Sequence, residues 1–209
     1  MKYKHIVFDV DGTLVDTAQT ALTCLQRVLY EETGRQIDLE TLYPLFGIPC
    51  LELAIQFGTP DPARAVLKWQ EYDRQQLKDV RLFSGITQML DVLHRTGCTL
   101  GIVTSRCRRE IQEQLQAFHL ELFFSVSVCS DDTERRKPFP EPLLKYLELS
   151  GAKSTEVLYI GDSEHDMACA KAAGVDCGLA MWGRSYAKKN PSADFYFVSP
   201  EEITNLICE

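Results

Sequence analysis

The chain alternates. Short β-rich runs at residues 5–9, 99–104, 123–129, 157–161, 177–181 and 195–199 are followed or separated by helical patterns at 85–95, 108–118, 140–149, 164–173 and 201–207. Most of the runs are apolar rather than alternating, which is how strands covered on both faces read. Gly97, Gly151 and Gly174 fall where helix ends call for a left-handed residue. Strand–helix–strand alternation needs crossover connections. It predicts an α/β fold with a doubly wound parallel sheet.

One segment breaks the rhythm. From about residue 16 to residue 81 no strand pattern occurs. Leu22, Leu25, Val28 and Leu29 mark one helix, stopped at Gly34. Pro49 and Pro62 suit the first turns of later helices, and Asp61 suits an N-cap. Ala65, Val66, Trp69 and Tyr72 give the last of these helices an apolar face. A chain of 209 residues has room for one large domain plus a small insert. The expected organisation is a core domain from residues 1–15 and 84–209, interrupted by a helical domain over 16–83.

The charge balance narrows the partners. Twenty-two basic against thirty acidic side chains give −8, which argues against nucleic acid, because a phosphate backbone demands a basic face. A small phosphorylated molecule needs only a few local cations or a metal ion. The eight cysteines form no C-x-x-C pair and no zinc-finger spacing, so they read as reduced thiols of a cytoplasmic protein. Residues 1–5 lead straight into a strand with no signal-peptide pattern, and no apolar run is long enough for a membrane helix.

In an open α/β sheet, ligands bind beyond the carboxyl ends of the strands. The polar residues that stop each strand are therefore the candidates. The first run ends in FDVDGTLVD, residues 8–16, which crowds Asp9, Asp11 and Asp16 together. The second ends in Thr104-Ser105, and the fourth in Gly161-Asp162, with Asp166 four residues on. Lys137-Pro138 lies between the third and fourth runs.

This set resembles the haloacid dehalogenase-like (HAD) hydrolase superfamily, in its phosphatase branch. DVDGT at 9–13, VTS at 103–105, Lys137 with Pro138 and GDSEHD at 161–166 match its four motifs in order. SGITQMLDVL at 84–93 and KPFPEPL at 137–143 look like its phosphoglycolate phosphatase and pyrophosphatase group. The resemblance implies a Rossmann-like core, with the helical insert as a small C1-type cap. It implies Mg2+ held by Asp9, Asp162 and the Asp11 main-chain carbonyl, with Asp166 holding a metal-bound water or bracing Lys137. Asp9 would attack phosphorus and become an aspartyl-phosphate. Asp11 would protonate the leaving oxygen and then activate water, with Thr13 fixing it by a hydrogen bond. Thr104, Ser105 and Lys137 would hold the phosphoryl group.

The remaining residues have quieter readings. Ser163 is a ready N-cap for the helix that follows it, and His165 reads as a solvated helix residue. Asp16 belongs to the exit into the insert. Arg106, Arg108 and Arg109 oppose a helix dipole, and the cluster has two readings: a solvated face, or a group in which at least Arg106 meets substrate or a cap carboxylate. The loop 46–50 (FGIPC) carries no charge, which lowers a sugar-phosphate mutase reading. The expected function is a Mg2+-dependent phosphatase of a small phosphorylated metabolite, phosphoglycolate phosphatase-like. Inorganic pyrophosphatase is the close alternative, and a non-catalytic phospho-acceptor module the distant one. The expected assembly is a monomer or weak homodimer, whose cap opens on hinges near residue 16 and residues 81–85.

Overall fold

The computed structural model describes residues 2–46, 48, 50–76, 80–183 and 192–208. In chain order its elements begin β1 (His5–Phe8), β2 (Val15–Asp16), α1 (Ala18–Thr33), α2 (Leu39–Leu42), α3 (Cys50–Gln56), α4 (Pro62–Gln76) and β3 (Arg81–Leu82). There follow α5 (Ile86–Arg95), β4 (Thr99–Val103), α6 (Arg108–Phe118), β5 (Phe124–Val128), α7 (Glu141–Ser150), β6 (Val157–Gly161), α8 (Glu164–Ala173), β7 (Asp176–Ala180), β8 (Phe195–Phe197) and α9 (Pro200–Cys208). The chain divides into two compact units, one built from the residues up to Asp16 and most of those after Leu82, the other from Thr17–Arg81.

The first unit is a six-stranded sheet in the order β5-β4-β1-β6-β7-β8, with every pairing parallel. Consecutive strands run outward from β1 to one side and then, from β6, to the other. The reversal beside β1 is the switch point at which such sheets bind ligands. Register makes this concrete. Phe8 is level with Ile102 on one side and Ile160 on the other. Asp9, Thr104 and Asp162 therefore emerge within two residues of one level.

Burial explains why the strands read as apolar runs. Ile6, Val7, Phe8, Ile102, Val103, Leu158, Tyr159 and Ile160 are all fully buried. Each large apolar side chain so covered contributes about 2 kcal/mol. On β4 a Cβ at Gly101 would lie 2.2 Å from the Tyr146 ring, so glycine lets α7 approach the sheet. The run 177–181 is realised one residue early, as Asp176–Ala180, and the run 195–199 shortens to Phe195–Phe197. The two-residue strands β2 and β3 pair in a separate ribbon that sequence patterning did not indicate. Two residues are too few to show a period.

The elements of the second unit are helical among its described residues, apart from Arg81, which opens β3. Leu22, Leu25, Leu29, Leu42 and Leu53 form its centre. Gly34 ends α1 in the left-handed conformation, its N–H donating to the Tyr30 carbonyl. Asp61 Oδ1 accepts from Arg64 N at 3.0 Å, an N-cap bond, and Pro62 opens α4. Glu32 of α1 pairs with Arg64 and Lys68 of α4 at 2.6 and 2.8 Å. Gly47 and Pro49 lie outside the described residues. All eight cysteines are free thiols. Among the described residues no helix is long and apolar enough to cross a membrane.

Candidate active site

Asp9 is the first residue beyond β1, and its carboxylate is buried. Lys137, which arrives on the loop between β5 and α7, donates to Asp9 Oδ1 at 2.9 Å and to Asp166 Oδ1 at 2.6 Å. The lysine side chain is 6% exposed and that of Asp166 fully buried. A charge taken from water into such a place survives only with partners. Burial alone would neutralise the lysine, but Asp166 and Asp9 together hold its pKa above its usual value. Burial likewise works against ionised Asp166, and the lysine, Ser163 and Tyr159 overcome it and keep that carboxyl below its ordinary value. Asp9 receives less help. Burial pushes its carboxyl up to about 7, against the pull of Lys137 and with the push of Asp166 and Asp11.

Tyr159 completes this buried cluster. Its hydroxyl lies 3.1 Å from Lys137 Nζ, 2.9 Å from Asp166 Oδ1 and 3.0 Å from the Val103 carbonyl. Tyr159 sits inside the apolar run VLYIG, outside the motifs singled out in the sequence. The available signal was chemical: a tyrosine in a strand buried on both faces must find a partner for its hydroxyl.

Asp162 and Ser163 follow β6, and Ser163 is the cap of α8. Its Oγ accepts from Asp166 N at 3.2 Å, while Asp166 Oδ2 accepts from Ser163 N at 3.0 Å and from Ser163 Oγ at 2.5 Å. With Lys137 and Tyr159 on its other oxygen, Asp166 has its acceptor capacity engaged. Carboxylate oxygens of Asp9, Asp162 and Asp166 can all lie within 4.8 Å of one another. An all-oxygen set suits a hard divalent cation such as Mg2+. Asp9 and Asp162 fit as direct ligands, and Asp166 fits as the group that orients Lys137. Gly12 belongs to the same construction. It has φ +76°, and a Cβ there would meet Asp162 Oδ2 at 2.3 Å, so the turn is cut to let that carboxylate in.

Asp11 points to a different neighbour from the one anticipated. Arg106 grips it side-on, Nε to Oδ2 at 2.7 Å and Nη2 to Oδ1 at 2.7 Å. For Arg106 the solvated-face reading does not hold, since its side chain is 11% exposed. In this structure it meets Asp11 of its own unit. Thr13 does not fix Asp11: its hydroxyl is buried and has no hydrogen-bond partner among the described residues. The turn is held otherwise. Thr13, Leu14 and Val15 all donate their N–H to the Val10 carbonyl, and the Thr13 carbonyl accepts from Trp182 Nε1 at 2.8 Å. Trp182 stands just beyond β7, outside every motif noted in the sequence.

Thr104 is buried at the end of β4, and its Oγ1 accepts from Arg106 N at 3.2 Å. Ser105 is exposed beside it. Arg108 braces the neighbouring loop through Asp132 Oδ2 at 2.5 Å and the Ser127 carbonyl at 3.0 Å. Arg109 pairs with Glu113 on the surface. His165 is exposed. The structure thus gathers Asp9, Lys137, Asp162 and Asp166 into one cluster, with Asp11, Arg106 and Thr104 linked in a second group at the same sheet edge.

Residues 6–180 match the family described as haloacid dehalogenase-like hydrolase. A protein of Caldanaerobacter subterraneus, provisionally named pyrophosphatase PpaX, is 33% identical over 184 residues, 87% of this chain and 83% of its own length. Pyrophosphatase PpaX of Bacillus cereus strain AH820 is 29% identical over 190 residues, 89% of this chain and 88% of its own. Among solved structures, a provisionally assigned phosphoglycolate phosphatase from Lactobacillus plantarum superposes with a TM-score of 0.86 at 29% identity, covering 99% of this chain and 100% of that one.

Proposed function

The chain belongs to the haloacid dehalogenase-like hydrolase family, and from that footing we propose a magnesium-dependent phosphatase of a small phosphorylated metabolite, working through an aspartyl-phosphate. The observation that carries the reading is the buried cluster in which Lys137 touches both Asp9 and Asp166, with the Asp162 carboxylate beside it. A structural ion pair has no need of further buried acids at one strand end. A phosphoryl-transfer site does, because a carboxylate nucleophile must approach a dianion.

Asp9 attacks phosphorus through a carboxylate oxygen as the bond to the leaving oxygen breaks. Asp11 gives that oxygen a proton, then takes one from the water that attacks the aspartyl-phosphate and releases phosphate. Lys137 neutralises negative charge at the nucleophile, Thr104 and Ser105 hold phosphoryl oxygens, and Asp166 keeps Lys137 aimed. Asp9, Asp162 and the Asp11 carbonyl would hold Mg2+, which when bound would supply positive charge between the two anions. With both Asp11 oxygens accepting from Arg106, proton donation requires the pair to part or rotate.

Two substrate readings stand. The curated relatives bear the name pyrophosphatase, and a structural relative is assigned as a phosphoglycolate phosphatase. The two substrates share a chemistry: the leaving group, phosphate or glycolate, carries its own negative charge. We read the helical unit as the cap that selects among leaving groups, opening to admit substrate. The proposed compartment is the cytoplasm, where free thiols stay reduced, and the proposed assembly a monomer or weak homodimer.

The test is hydrolysis of an aryl phosphate. Activity should require Mg2+, disappear in chelator and disappear in Asp9→Asn. Vigorous turnover by pure Asp9→Asn protein would remove Asp9 as nucleophile. An inert wild type across pyrophosphate, phosphoglycolate, nucleotides and hexose phosphates would leave the phospho-acceptor module as the better account.

A further inference from the structure

We propose that Arg106 is a specificity-determining residue, recognising negative charge on the leaving group, so that the preferred substrates are those whose leaving group is itself an anion. The inference rests on the phosphatase reading above.

The geometry carries it. Arg106 is locked at its backbone from two sides: its N–H donates to Thr104 Oγ1 at 3.2 Å and its carbonyl accepts from Ser130 N at 2.9 Å. Its side chain is 11% exposed, so it is a shaped part of the sheet edge and not a solvated surface arginine. The guanidinium lies side-on against Asp11, with two contacts of 2.7 Å. In the mechanism Asp11 is the residue that reaches the leaving oxygen. A group in hydrogen-bond contact with Asp11 therefore lies beside the leaving group, while Lys137 and Asp9 mark the phosphoryl side. Two cations, Lys137 buried and Arg106 half-buried, thus serve two different parts of the substrate.

Helix stability does not explain Arg106. Cys107 is the N-cap of α6, and a cation at a helix N-terminus opposes the dipole. A guanidinium fork instead matches planar two-oxygen acceptors, carboxylate and phosphate alike. Asp11 occupies that fork here as a carboxylate. A glycolate carboxylate or a departing phosphate presents the same pair of oxygens and would compete for it. An alcohol leaving group without charge presents nothing comparable.

The experiment compares kcat/KM for pyrophosphate and phosphoglycolate with that for an uncharged-alcohol ester such as ethyl phosphate, in wild type, Arg106→Gln and Arg106→Lys. Wild type should prefer one or both anionic-leaving-group substrates. In Arg106→Gln that preference should shrink about 10- to 100-fold, with Arg106→Lys in between, because Lys keeps the charge and loses the fork. The substrate showing the larger collapse identifies whether carboxylate or phosphate is the natural anion. An equal loss on all three substrates would overturn the proposal and leave Arg106 as a residue that positions Asp11. A wild type without preference would also overturn it, while the phosphatase reading stood. Should Arg106→Gln fold poorly, Arg106→Lys alone decides the matter by the same ratio.

Discussion

Lys137 and Asp166 hold each other at 2.6 Å in the interior, and the lysine takes Asp9 with its second contact at 2.9 Å. One cation therefore compensates two buried acids. Removing a partner from a buried pair strands the remaining charge, which costs about 3–5 kcal/mol. Lys137→Met, which leaves Asp9 and Asp166 without their cation, should lower unfolding stability by that amount, and more than an exposed loss such as Glu113→Ala, which breaks only the Arg109 contact. Urea denaturation in chelator measures both. A loss under about 1 kcal/mol for Lys137→Met would show that the cluster relaxes or hydrates.

Asp9 gives the pH prediction. Burial raises its carboxyl from 3.8 to about 7. As a proposed metal ligand Asp9 must be ionised, so cation binding at pH 6 should expel close to one proton, and at pH 8.5 nearly none. Calorimetry of Mg2+ binding in buffers of different ionisation enthalpy reads that number directly. Stability has the matching sign. In chelator the folded state holds a proton that the unfolded chain gives up, so the contribution of Asp9 is present below pH 4 and lost as pH rises through about 7. Saturating Mg2+ should flatten that decline. Proton release that does not change between pH 6 and 8.5 would contradict the assignment.

These acids were legible in the sequence for a physical reason. Asp9 and Asp162 end runs buried on both faces, where an ionisable group is too costly to keep without a task. Lys137 stood out only through the Pro138 context and the other three segments. Other features were not legible. Tyr159 hides in an apolar run, and its role depends on which loop folds over it. The Arg106–Asp11 contact joins residues ninety-five positions apart and depends on strand register. The Thr13 hydroxyl, expected on Asp11, bonds nothing among the described residues, because the turn directs its N–H groups to Val10 and its carbonyl to Trp182.

Gly12 separates metal binding from folding. Gly12→Ala carries a left-handed φ of +76°, costing about 1 kcal/mol. Its Cβ would also meet Asp162 Oδ2 at 2.3 Å, and the carboxylate end is what must yield. The expected result is a modest stability loss with Mg2+ affinity weakened at least tenfold, about the 1.4 kcal/mol a displaced ligand forfeits. Titration of Mg2+ against activity, beside thermal unfolding in chelator, separates the two effects. Unchanged Mg2+ dependence would mean Asp162 moves aside without harm.

Trp182 tests how the turn after β1 is held from outside. Its indole N–H bonds the Thr13 carbonyl at 2.8 Å, and a Cβ on Gly183 would lie 2.8 Å from the Gly12 carbonyl, so this loop packs directly on the turn. Trp182→Phe keeps most of the ring and deletes the donor. A buried carbonyl without its partner costs about 1–3 kcal/mol, some of it felt as drift of Asp11 from its position. Small misplacement of a reacting group lowers turnover more than binding. The prediction is a kcat reduced about tenfold with KM for substrate little changed, and Trp182→His, which can still donate, intermediate. Steady-state kinetics on all three proteins supplies the comparison. A variant that loses only thermal stability, with kcat intact, would reduce Trp182 to a packing residue.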